Sequence, residues 1–404
     1  MTALTEARAL AAERAAVLPT KRDEYWRYTD PRDLVAETAP KAAVFDDGGE
    51  APIFEAVDCV KIVFNDGVFD AASSDDLAVA GVEISRLAEG APAWAAELYG
   101  TLETEGQTPV KRPLAALNTA KATDGVLIRV TGKAAKPVSL IYNHKSETSD
   151  PILHHCIKME AGAELTLLES GPAGARFNQV MEVDLAAGAR FHHIRAQGRD
   201  QERRAVTHIF ARVADEALFK SFTLTANGAL TRNECVIDIT GSDAFAHVAG
   251  AALGDGAKDP FHHDDTVFIT HRGERCESRQ VFKNVLKNGA TGVFQGKILV
   301  KQGAQKTDGY QISQALLLDE NAQFLAKPEL EIYADDVKCS HGSTTGAIDE
   351  TALFYLRSRG IPTEEAEALL VLSFLADALE EIEDEALRGV IAERLEAWLN
   401  RHRH

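Results

Sequence analysis

A short motif returns along the middle of the chain, and a chain that repeats itself has few folds open to it. Gly162-Ala163-Glu164-Leu165 comes back as Gly188-Ala189-Arg190-Phe191, with weaker echoes at Glu216-Ala217-Leu218-Phe219, Asp243-Ala244-Phe245 and Asn321-Ala322-Gln323-Phe324. The alanines at 163, 189, 217 and 244 stand 26, 28 and 27 residues apart, and the step from 244 to 322 is three times 26. A period in this range marks a solenoid, whose units bury their apolar faces only against their neighbours. The turn of each coil needs a residue small enough to stack on the next, and the x-apolar alternation after it sends one face inward. A β-sandwich with evenly spaced hairpins has the same spacing, so the repeat alone leaves both folds open.

Around this zone the texture changes. Residues 3–17 are rich in Ala, Leu, Glu and Arg and predict a helix ended by Pro19. From 20 to 115 short apolar runs alternate with Pro and Gly, as at Ile62-Val63-Phe64 before Asn65-Asp66-Gly67, and predict a small mixed α/β region. After Pro362, Thr363 is the expected N-cap of a helix with Glu364 and Glu365 in its first turn. Leu369, Leu372, Leu375, Leu379 and Ile382 form its stripe, and Leu387, Val390, Ile391, Leu395 and Trp398 that of a second helix. The expected division is an N-terminal helical and mixed region over 1–119, a β core over 120–345 and a helical pair within 346–404.

Forty-three Lys and Arg stand against 62 Asp and Glu, a net charge of −19. Nucleic-acid affinity comes from neutralising phosphates, so no such partner is expected. No apolar run approaches the ~20 residues that span a bilayer. The richest, Leu369 to Leu379, already holds Ser373 and Asp377, and Glu6, Arg8, Glu13 and Arg14 interrupt the N-terminus. A soluble, cytoplasmic protein is expected. Nine acidic residues and no Lys or Arg fall between 363 and 385, which gives the helical pair a negative exterior suited to a basic partner.

The common enzyme signatures are absent. There is no GxxxxGK[ST] loop for a nucleotide, no GxGxxG, no HExxH and no GxSxG. The five cysteines, at 59, 156, 235, 276 and 339, include no CxxC pair, so the chain has no self-contained zinc or iron–sulfur loop. Of the clustered histidines, His154 and Cys156 share a strand face, whereas His155 points away. His262-His263-Asp264-Asp265, with His271 and Cys276 downstream, has metal-ligand residue types in no known ligand spacing, and a solvent-exposed loop is expected there. Cys339 and His341 are i and i+2, so on a strand both leave the same face. A thiol beside an imidazole suits Fe(II), or a thiolate activated by His. Two ligands do not complete a site, and a buried Cys with a turn-stabilising His before Gly342 is the plainer reading.

The stretch from Lys327 through Cys339-Ser340-His341-Gly342 to Gly346, continued by Ile348-Asp349-Glu350 and Phe354 to Ile361, closely resembles the C-terminal signature of the SufB/SufD family of the SUF iron–sulfur cluster assembly machinery. Leu18 to Thr29, and Ser278-Arg279-Gln280-Val281 through Lys306-Thr307-Asp308-Gly309, are similar to two further family motifs. Where the SufB type carries His-Glu-Ala-Thr-Thr, this chain has Ser340-His341-Gly342-Ser343-Thr344-Thr345, so it resembles the SufD type. The resemblance implies a mainly β chain with a right-handed parallel β-helix core between an N-terminal helical region and a C-terminal helical pair. It also implies a non-catalytic scaffold that pairs with SufB and docks the ATPase SufC through the C-terminal helices, where Glu364, Glu365 and Glu367 are exposed acidic candidates. His341, with Cys339 beside it, falls at the SufB–SufD interface as a donor to iron. The resemblance implies no cofactor held stably by this chain alone, only a transient iron–sulfur cluster or iron shared with SufB.

Two other classes compete. β-Helices carry polysaccharide-acting enzymes, which need an acidic calcium site beside a catalytic Arg or Lys, and His262 to Asp265 is the nearest match. A homodimeric binding module using an exposed β edge would leave Cys339 and His341 purely structural; homodimerisation of the isolated chain fits the scaffold as well.

Overall fold

A residue in the left-handed region followed by a small buried one turns the chain from one layer to the next, and this pair recurs through the molecule. The computed structural model describes residues 2–44, 46, 48, 50–198 and 202–402. Gly162 and Gly188 (φ 68° each), Glu216 (55°), Asp243 (56°), Arg275 (57°) and Lys306 (59°) occupy the left-handed position. Ala163, Ala189, Ala217, Ala244, Cys276 and Thr307 follow them, each at most 1% exposed. Gly and Asp pay little for this backbone conformation, which is why the repeat shows in the sequence where they stand.

Each turn feeds a strand, and successive strands from Val126 onward alternate between a ten-stranded and a nine-stranded sheet. All neighbours in this stretch pair in parallel, so the fold is a mainly β chain with a parallel β-solenoid of about seven turns, and the sandwich reading falls away. In the ten-stranded sheet the in-register column runs Glu164, Arg190, Leu218, Phe245, Glu277, Asp308, Lys338. Coils therefore lengthen from 26–28 residues to 30–32 after Phe245, as strands Phe245–Asp255 and Glu277–Lys287 grow to 11 residues. The echo at Ala322 belongs to a different column. It precedes strand Gln323–Ile332 in the nine-stranded sheet, one coil beyond Ala290, so its multiple of 26 is a coincidence.

Inside, Leu165, Phe191, Phe219 and Ala246 from one sheet face Val183, Val213, Ile239 and Ile269 from the other in a continuous apolar core. The solenoid begins before residue 120. Strand Val60–Asn65 pairs in parallel with Val138–Asn143, and Val82–Arg86 pairs antiparallel with Val126–Val130, so strands of the N-terminal region close one end of the two sheets. Helix Ala3–Arg14 and helices Ala93–Leu98, Thr101–Glu105 and Pro113–Lys121 cover the outer face of the nine-stranded sheet.

Helices Thr363–Leu379 and Glu385–Arg401 cover the outer face of the other sheet. Val371, Leu375, Ala378, Leu379 and Ile382, then Leu387, Ile391, Leu395 and Trp398, pack on Leu168, Ile194, Phe222, Leu224 and Val281. Two details differ from expectation. Pro362, not Thr363, is the N-cap, with no side-chain cap bond, because Thr363 already has its place in the first turn. Leu369 is 44% exposed; Val371 and Ala378 take the buried stripe because the sheet meets the helix on that side. No helix among the described residues is long and apolar enough to cross a membrane.

Candidate assembly face at the open end of the solenoid

A solenoid's last coil has no neighbour above it. Strands Gln323–Ile332 and Lys338–Gly346 are the terminal members of the two sheets, and each leaves one row of backbone N–H and C=O groups without a strand partner. The inner strands are almost wholly buried, whereas Lys338–Gly346 is exposed along nearly its whole length. Ile332 and Tyr333 stand at the end of the adjoining strand, with Tyr333 57% exposed, and Phe354 on helix Glu350–Ser358 is 73% exposed.

Cys339 and His341 lie on this last strand, as i and i+2 residues of one face. Their columns identify that face. Cys339 continues Leu165, Phe191, Phe219, Ala246, Ser278 and Gly309, while His341 continues Leu167, His193, Ser221, Val248, Gln280 and Gln311. Both columns point into the solenoid, so at the open end both side chains stand over its mouth. Cys339 is half-buried beside Ile298 and Val300, and a Cβ on Gly309 would lie only 3.2 Å from its Sγ, so glycine leaves room for the thiol. Burial, aided by the Asp308 charge, pushes the Cys339 thiol up, which does not favour a free thiolate. His341 is exposed. The chain offers here a thiol and an imidazole, and no third donor among the described residues joins them in a metal-binding group.

The N-terminal motif meets the C-terminal one at this end. Tyr25 donates its hydroxyl to Glu329 (2.7 Å), Lys327 pairs with Glu24 (2.6 Å), and the Lys327 ammonium sits 3.9 Å from the Tyr25 ring centre. The segment Leu18 to Thr29 thus braces the terminal strand of the nine-stranded sheet. Nothing local in either motif shows that they touch, since Tyr25 and Glu329 stand 304 residues apart.

The His262 cluster is not a solvent-exposed loop. It opens strand His262–His271, and His263, Asp264 and Asp265 are buried. Asp264 accepts from Arg232 and from Thr29, both at 2.5 Å, while Asp265 accepts from Asn233 (3.0 Å) and pairs with His263 (2.8 Å). The local run of His and Asp suggested water because its counter-charge, Arg232, arrives from the preceding coil. Arg232 and Arg112 also hold Glu234; burial would raise that carboxyl, but the two guanidiniums outweigh it and keep it at about 2.

One other group has metal-ligand chemistry: His154, Cys156 and Glu182, all buried, with donor atoms within 4.8 Å of one another. His154 and Cys156 do share a face, as the strand spacing predicts. Each donor is already occupied or inert. His154 bonds Glu182 (2.7 Å) and Asn118 (3.1 Å), and Glu182 accepts the backbone N–H groups of Gly100, Leu102 and Glu103 at the start of helix Thr101–Glu105. Burial drives the Cys156 thiol well up. The trio fastens the N-terminal helices to the sheet.

Of the acidic residues in the C-terminal helices, Glu364 and Glu365 are exposed and Glu367 is half-exposed, on the first turn or two of helix Thr363–Leu379. Others in the run are spent within the molecule. Asp377 pairs with Lys283 (2.8 Å), Glu381 with His247 (2.9 Å), and Glu383 with Lys220 (2.9 Å).

Residues 142–374, more than half of the chain, match the family model described as the SUF system FeS cluster assembly SufBD core domain. The chain is 29% identical over 397 residues to the iron–sulfur cluster assembly protein SufD of Escherichia coli, covering 94% of this chain and 88% of that protein. It is 27% identical over 402 residues to a SufBD family iron–sulfur cluster assembly protein of Synechocystis, covering 92% and 85%. SufD of Bacillus subtilis is 28% identical over 295 residues, 70% of this chain and 66% of that protein. With most of its solenoid strands inside the matched residues, the chain belongs to the SufBD family of SUF iron–sulfur cluster assembly proteins.

Proposed function

We propose that the chain is a non-catalytic scaffold subunit, cytoplasmic, that completes its open end with a SufB subunit and shares the nascent cluster across that junction. The observation that carries this reading is the unpaired last coil bearing Cys339 and His341 over the solenoid mouth. A second solenoid laid against that edge would continue both ladders and bring its own ligands to the two donors supplied here. Iron and sulfide are then cargo, held briefly by a donor set that neither subunit has alone.

The energy for turnover comes from a separate ATPase, SufC, docked on the C-terminal helices near Glu364, Glu365 and Glu367. The ion pairs of Asp377, Glu381 and Glu383 fasten that helical pair to strands of the sheet that ends in Lys338–Gly346. A pull on the helices would reach the last strand through this sheet, provided the two ATP states differ in their contacts with this chain. A polysaccharide-acting role fits poorly, because the one acidic cluster that would hold calcium is buried and neutralised.

Anaerobic co-expression with SufB and SufC, followed by iron and sulfide analysis, tests the reading. His341→Ala should leave the complex intact and lower cluster content at least tenfold. Wild-type iron and sulfide in that variant would remove His341 from the site. Recovery of only a homodimer, with neither SufB nor SufC bound, would favour the binding-module reading.

A further inference from the structure

Arg203 is 1% exposed, and its Nε and Nη2 have no hydrogen-bond partner among the described residues. No carboxylate among the described residues pairs with it, although buried charges are ordinarily paired. The carboxylate that lines the same cavity as Arg203 is already committed. Glu169 accepts from Tyr142 (2.7 Å), Gln179 (2.5 Å) and His193 (2.7 Å), and it takes both Nε and Nη2 of Arg195. Glu169 is thus saturated by Arg195 and its neutral donors.

A second orphan lies beside the first. Thr231 is fully buried and its Oγ1 is unpartnered. A Cβ placed on Gly228 would lie 3.3 Å from that hydroxyl and 3.9 Å from Arg203 Nε, so both groups border the same space. Arg203, Arg195, Glu169, Gln179, Tyr142 and Gln197 line a small cavity of about 10 Å³, room for one water-sized particle. A water molecule would accept the stray hydrogen bonds but leave the charge uncompensated. Burial and the neighbouring Arg195 pull the Arg203 guanidinium down to about 9, which still leaves it charged at neutral pH.

We propose that the solenoid interior holds one small monovalent anion, of halide or hydrosulfide size, against the Arg203 guanidinium. A route in exists. Ser170, Gly171, Ala196 and Gln197 line both this cavity and a larger one of about 200 Å³, between the coil turns and helix Glu385–Arg401, with Lys145 on its wall. The site stands on the donors of this chain and does not depend on the scaffold role.

Crystals of the full chain grown in chloride and exchanged into bromide test it by anomalous scattering. The expected result is a bromide peak within hydrogen-bonding distance of Arg203, lost in Arg203→Met. In solution, chloride replacing the bulkier gluconate at constant ionic strength should raise the wild-type Tm saturably. Re-equilibrating the bromide crystals anaerobically with hydrosulfide separates the two sources. Loss of the peak assigns the site to the sulfide anion, its persistence assigns it to halide, and either supports an anion site. No peak together with no chloride-dependent Tm in the wild type, or a carboxylate of the chain found against Arg203, would overturn the proposal.

Discussion

Asp264 shows how far a charged side chain depends on residues remote in sequence. It is fully buried, and it shares the Arg232 guanidinium with Glu234 while Arg232 lies 4.1 Å over the Trp26 ring. Removing one member of such a group leaves an uncompensated charge in a dry site, which costs more than the pair itself is worth. Asp264→Ala should therefore destabilise the chain by about 3–5 kcal/mol in urea unfolding. A loss under about 1 kcal/mol would mean that Glu234 alone carries the Arg232 charge. The same dependence explains why this site misled sequence reading. Types and spacing along 262–265 were visible, but Thr29 and Arg232 were not visibly near. Cys339 and His341 were legible for the opposite reason: the relation that matters, one strand face, is local.

At the scale of elements, the C-terminal helical pair combines an apolar seam with an ionic one. Glu381 faces His247 and Lys220, and Glu383 faces Lys220, Arg190 and His192. Burial would raise both carboxyls, but the hydrogen bonds and charges of these partners, Lys220 and Arg190 among them, outweigh it and hold them below the ordinary range. A depressed carboxyl contributes stability that is present above its unfolded pKa of about 4.3 and is lost as pH falls through the folded value. Burial also lowers His192, so the folded chain resists its protonation and loses stability as pH falls below about 6.5. All three act in the same direction. Hydrogen exchange, corrected for intrinsic rates, should show 363–401 loosening from about pH 6, as His192 protonates, and further below about pH 4, as the two carboxyls do, before the solenoid strands loosen. Simultaneous loss of protection in both would mean that the apolar seam alone holds the helices.

The elements themselves were only partly readable. Turns at Gly162-Ala163 and Asp243-Ala244 stood out because they use residues suited to the left-handed backbone. Arg275-Cys276 and Lys306-Thr307 make the same turn with long side chains, and the lengthening coils hid their period. The unpaired edge left no local mark, because being last in a sheet is a property of the stack.

For the whole molecule the question is where a net charge of −19 is left to act. Part of the acidic run in 363–385 neutralises cations of the solenoid face, so its contribution to the outside is smaller than its composition implies. Glu364, Glu365 and Glu367 are in no ion pair with a described residue and lie at the end of helix Thr363–Leu379 away from the Glu381 and Glu383 clamp. Exposed charges of this kind act mainly on encounter rates and are screened beyond about 8–10 Å at ordinary ionic strength. If they steer a basic face of SufC onto the helices, the triple change Glu364→Lys, Glu365→Lys and Glu367→Lys should slow association about tenfold or more at low salt. Dissociation should change little, and the decline of the wild-type rate with added salt should flatten or reverse in the variant. The fold should hold, since none of the three changes touches the buried stripe of Val371, Leu375 and Ala378, although Lys in the first turn opposes the helix dipole and costs about 1–2 kcal/mol. Stopped-flow binding at several salt concentrations reads both rates. An unchanged, salt-independent association rate would show that the acidic end does not guide docking, and would leave the exposed apolar residues of helix Glu350–Ser358 as the surface to examine next.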